Sequence, residues 1–398
     1  MIRKLLPILG ITFIDIVGFS MLIPLLPYFV THFGVSAFVV GILFSTFSFC
    51  QLVSGPIWGN FSDRIGRKRV LIISQIGATI GWAGLAFAPN ILWVFIWRII
   101  EGVSGGNIGI TQAYVADLVE AKQRARAFGF IGATFAAAMV FGPASAGLLF
   151  DKFGFEAPFL AASGLQFLTL LLTIVFLPES RTKEQHAESQ VGLQKIMRAF
   201  VNPHFRPLLV QKLALSLAMY GWFAALALYL KGQLHFRVID TTTYFSVFAV
   251  ANFAINGFGV GKTSHRLGDR LMSTLGLALL VIAFASVPFV HNVVVLTAVM
   301  ILFAAGMAFA NNGITAMLSN AATDREQGTV LGVGSSLDSL SGILAPPVST
   351  GLLARFGSPY AGAESLVMAV IALALGVRNS LQVPTVEPHA SAEELELV

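Results

Sequence analysis

The stretch Gly59–Arg69, GNFSDRIGRKR, is a short polar break between two long apolar segments, 39–58 and 70–88. Asp63, Arg64, Arg67, Lys68 and Arg69 put five charges within seven residues. Charges at that density stay out of hydrocarbon, whereas a run of about 20 apolar residues is long enough to cross a bilayer as helix. The stretch therefore reads as a turn in water, where one membrane-crossing helix ends and the next begins.

Composition extends this reading to the whole chain. Of 398 residues, 56% are hydrophobic and only 11% charged, and the mean hydropathy is +0.79. A soluble chain carries about 25% charged residues, so this one lacks the polar surface to be covered by water. The expected class is an all-α polytopic membrane protein. The net charge of +5 does not indicate a nucleic-acid partner, because the basic residues sit in short loops between apolar runs and serve as an orientation signal. The single cysteine, Cys50, excludes an intramolecular disulfide and a cysteine-based metal cluster. A Walker loop, a catalytic triad and metal-ligand spacing are all missing, so neither an enzyme nor a cofactor is expected. The start, MIRKLLPILG, is basic then apolar like a signal peptide. Its apolar run continues to Phe29 without a small-residue cleavage site, which makes it a retained first span.

Runs long enough to cross a bilayer occur at about 5–30, 38–58, 70–88, 92–116, 128–150, 157–177, 207–230, 242–260, 272–290, 293–317, 328–350 and 361–382. These twelve are expected to be helices, since lipid offers the backbone no hydrogen-bond partners and the runs are too long for barrel strands. Threading the chain through them puts nineteen of its 25 Lys and Arg residues on one side, including Arg3, Lys4, the 59–69 turn, Lys122, Arg266 and Arg325. That side is the cytoplasmic one, with both termini on it.

Residues 178–206 form the only long polar stretch between spans and divide six from six. The halves repeat. Arg64-Ile65-Gly66 returns as Arg266-Leu267-Gly268, 202 positions on, and Gly142-Pro143-Ala144-Ser145-Ala146-Gly147 aligns with Pro346-Pro347-Val348-Ser349-Thr350-Gly351. The expected organisation is a six-helix bundle at 1–177, a cytoplasmic linker at 178–206, a second bundle at 207–382 and a disordered acidic tail at 383–398. Duplicated halves with a site between them are the plan of many secondary transporters.

Several residues carry a resemblance to a known family. GNFSDRIGRKR resembles the loop signature of the major facilitator superfamily, G-x-L-x-D-R-x-G-R-[RK], with Phe61 in place of Leu. Arg98, Gly102 and Gly106 resemble its fourth-helix signature. Gly142-Pro143 with Gly147 resembles the fifth-helix antiporter signature, with Ala146 replacing a glycine. Asp15, Gly18, Pro24 and Pro27 look like the first helix of the twelve-helix drug/proton antiporters. The strings AYVADLVEAKQRARAFGF and AMLSNAATDREQG are similar to the tetracycline exporters within that group. The resemblance runs nearly end to end. It implies proton-coupled export of a small amphipathic compound by alternating access, driven by the proton gradient without a cofactor, by a monomer in the plasma membrane. It also implies that Gly59, Asp63, Arg64, Gly66 and Arg67, with Asp117, latch the halves together on the cytoplasmic side.

Ionisable groups within spans mark the coupling candidates, since each is costly there: Asp15, Arg98, Glu101 and Asp338. Asp15, about ten residues into its span, lies near the midplane and can carry a proton between two access states. Arg98 and Glu101, at i and i+3, can neutralise each other; alternatively Arg98 answers Asp15 across a cavity. Asp338 is flanked by Ser335, Ser336, Ser339 and Ser341, which can bond it as a structural polar patch. Gly142, Pro143 and Gly147 suit a bend in the fifth span. Tyr220, Trp222, Asn252, Asn256, Asn311 and Asn312 are candidate cavity linings for a ring-containing solute. His265 stands where Asp63 does, so the second loop is expected to lack an acidic partner and the latch to be dominated by the first half. Two rival readings remain: an uptake symporter for a nutrient, and a sensor with a transporter fold and no flux.

Overall fold

A computed structural model describes residues 2–105, 107–119, 124–179, 202, 205–322 and 326–382. Gly106, Lys122, Arg325, most of the 178–206 linker and the 383–398 tail lie outside the described residues. The described chain is helical: α1 (Ile2–Leu22), α2 (Leu26–Phe33), α3 (Ala37–Ile65), α4 (Arg67–Ala86), α5 (Ile91–Ser104), α6 (Asn107–Leu118), α7 (Arg124–Phe153), α8 (Ala157–Phe176), α9 (Arg206–Leu234), α10 (Val238–Ala254), α11 (Gly261–Ser286), α12 (Val293–Ala321), α13 (Gln327–Phe356) and α14 (Ala363–Gln382). Among the described residues, ten helical stretches are long and apolar enough to cross a membrane. One of these, Val238–Phe289, has 52 residues. It would reach about 78 Å as one rod, over twice a bilayer core. It is broken at Gly268, where φ is 74°.

Exposed side chains such as Phe87 (69%), Phe153 (72%) and Phe289 (73%) leave an outer surface that suits lipid. Two expected spans are interrupted. The first breaks after Leu22, ahead of Pro24 and Pro27; proline lacks the N–H that would continue the ladder. The fourth breaks at Gly105, between α5 and α6, within its run of glycines. The segment Ile255–Val260 between α10 and α11 is a π-helix, a wide turn that hydropathy does not reveal.

The duplication is visible in the backbone. Gly66 (φ 104°) and Gly268 (φ 74°) turn the chain at matching places, as do Gly154 (φ 90°) and Gly357 (φ 92°). Asn90 and Asn292 cap matching helices, their side-chain oxygens accepting backbone N–H groups of the first turn. In the first half α1 packs on α7 and α8, and α4 on α5 and α8; in the second α11 packs on α12 and α14, and α9 on α13 and α14. The halves meet where α3 lies on α13 and α7 on α10.

Along these seams the fit changes from one end to the other. At the end remote from the 59–69 loop, Ser45 donates to the Ile343 carbonyl (2.5 Å), and the Tyr28 hydroxyl pairs with Thr241 (2.9 Å) and reaches the Phe236 carbonyl. A methyl added to Gly41, Gly147 or Gly342 would strike the opposite half. Toward the loop end, a methyl on Gly55, Gly59, Gly257 or Gly334 would meet nothing within 4 Å. The halves are therefore pressed together at the remote end and spread at the loop end.

Candidate functional site

Two ionic sites lie within the helices, one in each half. On α5, Arg98 is 1% exposed and its Nη1 lies 2.5 Å from Oε2 of Glu101, which is 4% exposed. The guanidinium also stacks 4.4 Å over the Phe47 ring of α3, leaving its Nε without a hydrogen-bond partner. Glu101 lies against Gly81 of α4, where the absence of a side chain lets the two helices approach. Asp15 of α1 is half-buried and within electrostatic reach of Glu101. Of the two arrangements open to Arg98, the structure shows the pair with Glu101, with Asp15 as a third charge nearby.

In the second half Asp338 of α13 does not use its neighbouring serines. Ser335, Ser336, Ser339 and Ser341 each donate to the carbonyl four residues back in the same helix, which satisfies their hydroxyls locally. The partners of Asp338 come from α9: Ser216 donates at 2.5 Å and the Lys212 ammonium lies 3.1 Å away. Lys212 also donates to Asn311 Oδ1 of α12 at 2.9 Å. Lys212 is not among the residues singled out from the sequence. Intramembrane cost alone implies a counter-ion, but nothing in the sequence says which.

The expected cavity lining divides. Tyr220 is 40% exposed. Asn252, Asn256 and Asn312 form a polar strip across α10, the wide turn and α12, with Asn256 donating to Asn252 and Asn312 donating to Asn256 at 2.8 Å. Trp222 is a correction. It is 2% exposed and packs among Tyr229, Phe284 and Phe303 in the second half's core. An indole two residues from an exposed tyrosine faces another side of the same helix, and there four large rings bury one another.

At the loop, Gly66 separates α3 from α4 and lets Arg67 fold back. Its guanidinium meets Asp63 (2.8 Å), Asp117 at the end of α6 (3.3 Å) and the Ser62 hydroxyl. The side chain of Arg67 is 9% exposed, while Arg64 points outward. Glu179 accepts the Arg67 backbone N–H at 2.8 Å, which places a carboxylate at the N-terminus of α4. The second loop is not simply impoverished. Asp269 stands where Arg67 does and accepts from Ser264 (2.6 Å) and Asn320 (3.3 Å).

Pro143 lies inside an unbroken α7. Gly142 and Gly147 there mark close approaches, the first to Ser20 of α1 and the second to Thr242 of α10.

Comparison with known proteins agrees with this geometry. The family model of the Major Facilitator Superfamily matches residues 8–346 and again 245–395. The tetracycline resistance protein, class C, of Escherichia coli is 31% identical over 386 residues, covering 93% of this chain and 95% of that one. Multidrug resistance protein 2 of Bacillus subtilis is 25% identical over 341 residues, covering 84% of each. Among solved structures, a bacterial homologue of the human lysosomal transporter Spinster, in an inward-facing and unoccupied conformation, superposes with a TM-score of 0.78 at 16% identity. That match covers 95% of this chain and 96% of the other.

Proposed function

This chain belongs to the major facilitator superfamily and is an integral multi-pass membrane protein; on that premise we propose that it exports a small amphipathic, ring-bearing compound of the tetracycline class in exchange for protons. Alternating access does the work and the inward proton gradient supplies the energy, with no cofactor. We take the chain as a monomer that crosses the plasma membrane twelve times, the 52-residue stretch counting as two crossings and α13 as a further one. The bundles are 1–177 and 207–382, with the loop end and both termini in the cytoplasm. In this frame the present conformation is open to the cytoplasm and shut outside.

The observation that carries the proposal is the half-buried Asp15, in the second half of α1 and within electrostatic reach of the Arg98–Glu101 pair. Removing a carboxylate charge from water costs several kcal/mol unless it is paired or protonated. Asp15, Glu101 and Arg98 together carry a surplus of one negative charge, and a proton on Asp15 removes it. When the cavity changes side, the proton is released and the surplus returns. Cargo and proton then occupy the same protein in alternation. Arg67, clasped within the first half here, is proposed to reach across when the loop end closes.

The test uses inside-out vesicles carrying the purified full chain, with acid inside. The parent should accumulate tetracycline uphill, and Asp15→Asn should lose accumulation while still allowing downhill flux. Uphill accumulation by Asp15→Asn at the parental level would remove Asp15 as the coupling group. Failure of the parent to accumulate tetracycline, cationic dyes or other drugs would remove the exporter reading.

A further inference from the structure

Lys212 has no part in the proton scheme above, yet it is the better-placed cation for a ligand. Its side chain is 10% exposed, whereas its partner Asp338 is 33% exposed. In the other half's pair both side chains are sealed, at 2% and 5%. An ammonium has three donors. Asn311 and Asp338 take two of those of Lys212, and Asp338 shares the same oxygen with Ser216.

The pair also sits where the halves part. A methyl added to Gly342, one turn beyond Asp338 on α13, would strike Ser48 of the opposite half and press on the edge of the Tyr220 ring. On the loop side of that contact, Gly334 faces open space. Lys212, Ser216 and Tyr220 follow at i, i+4 and i+8, so they share one face of α9. This places a half-exposed aromatic ring about 12 Å along the helix from a cation.

We infer that Lys212, held by Asn311, is the recognition point for an acidic group on the transported solute, which displaces Asp338 while its ring system lies on Tyr220. This inference rests on the transporter reading and names the substrate class: a ring-bearing carboxylate or enolate. Exchanging one carboxylate for another at a buried ammonium leaves the cation compensated throughout, so the swap has no unpaired intermediate to climb over. Asp338, released, keeps the Ser216 hydroxyl and its open side toward the cleft. Arg98 cannot make the same exchange, because nothing can enter beside Glu101 without parting α3, α4 and α5.

The inference is tested by equilibrium binding to the purified full chain in lipid nanodiscs, with no gradient, using fluorescein and rhodamine 123 as probes. These share a fused-ring frame, but one is anionic and the other cationic. The parent should bind fluorescein at least about tenfold more tightly, a difference typical of a desolvated charge contact. Lys212→Met should erase that preference. Asp338→Asn, which removes the competing carboxylate, should tighten fluorescein binding, a gain no misfolded variant could produce. Equal binding of the two dyes, no binding of either, a preference that survives Lys212→Met, or weaker fluorescein binding by Asp338→Asn would each overturn the inference. Because binding needs no gradient, the ratio of the two dyes reports on Lys212 whatever the energy source. Uphill accumulation by Asp15→Asn at the parental level, with the dye preference intact, would count against the coupling scheme alone.

Discussion

The two loops that turn the chain at Gly66 and Gly268 are copies in shape and opposites in charge. Ser62, Arg67 and Asp117 in the first correspond to Ser264, Asp269 and Asn320 in the second. In each, the hydroxyl and the residue at the distant helix end converge on the side chain just past the glycine. In the first that centre is a cation ringed by acceptors; in the second it is an anion ringed by donors. The backbone turn therefore does not depend on which sign sits at its centre, only on the surroundings offering the complement. The ion pairs deeper in the bundles differ in another way: that of the first half is sealed and that of the second opens to the cleft. Geometry was duplicated, while charge and access were free to diverge.

The largest effect expected in breaking this comparison comes from the sealed pair. Glu101→Ala leaves a guanidinium without its counter-ion at 1% exposure, and should cost about 3–5 kcal/mol, the range for one partner removed from a buried pair. Thermal unfolding of the detergent-solubilised protein checks this; a loss below that of Arg67→Ala would mean the pair is not sealed. Arg67→Ala leaves Asp63 and Asp117, each about a quarter exposed, facing one another and should cost about 1–3 kcal/mol. Repeating the melt in high salt should recover part of that loss, since screened carboxylates repel less. The smallest effect is expected for Asp269→Asn, below about 1 kcal/mol, because the amide oxygen still accepts from Ser264 and the exposed Asn320 can turn its own oxygen toward the new NH2. Should Asp269→Asn cost as much as Arg67→Ala, the second loop's charge would be a structural requirement and the comparison would fail.

Much of the fold was legible because lipid imposes a simple rule, an apolar run of fixed length, and because duplication repeats its punctuation. The 59–69 loop could be read from its density of charge, while its link to Asp117 came with the family resemblance. The Arg98–Glu101 pair could be proposed because its members are one turn apart. Lys212, Asn311 and Asp338 are about a hundred and thirty residues apart end to end, on three helices, and no local period links them. Ser216, their fourth member, looked like any serine. Trp222 was misplaced because apolar composition all around a helix hides which face looks inward. Glu179, which caps α4 from across the bundle, belongs to a segment read as linker.

The wide turn at Ile255–Val260 carries a consequence of its own. A π turn, bonded i to i+5, holds about one more residue than the α-helix around it. Each residue in an α-helix is worth about 100° of rotation, so the extra one sets how Asn256, which is bonded to Asn312, is turned relative to the helix that continues to the break at Gly268. A one-residue deletion within the turn would leave the hydropathy plot untouched and swing that amide bridge out of register.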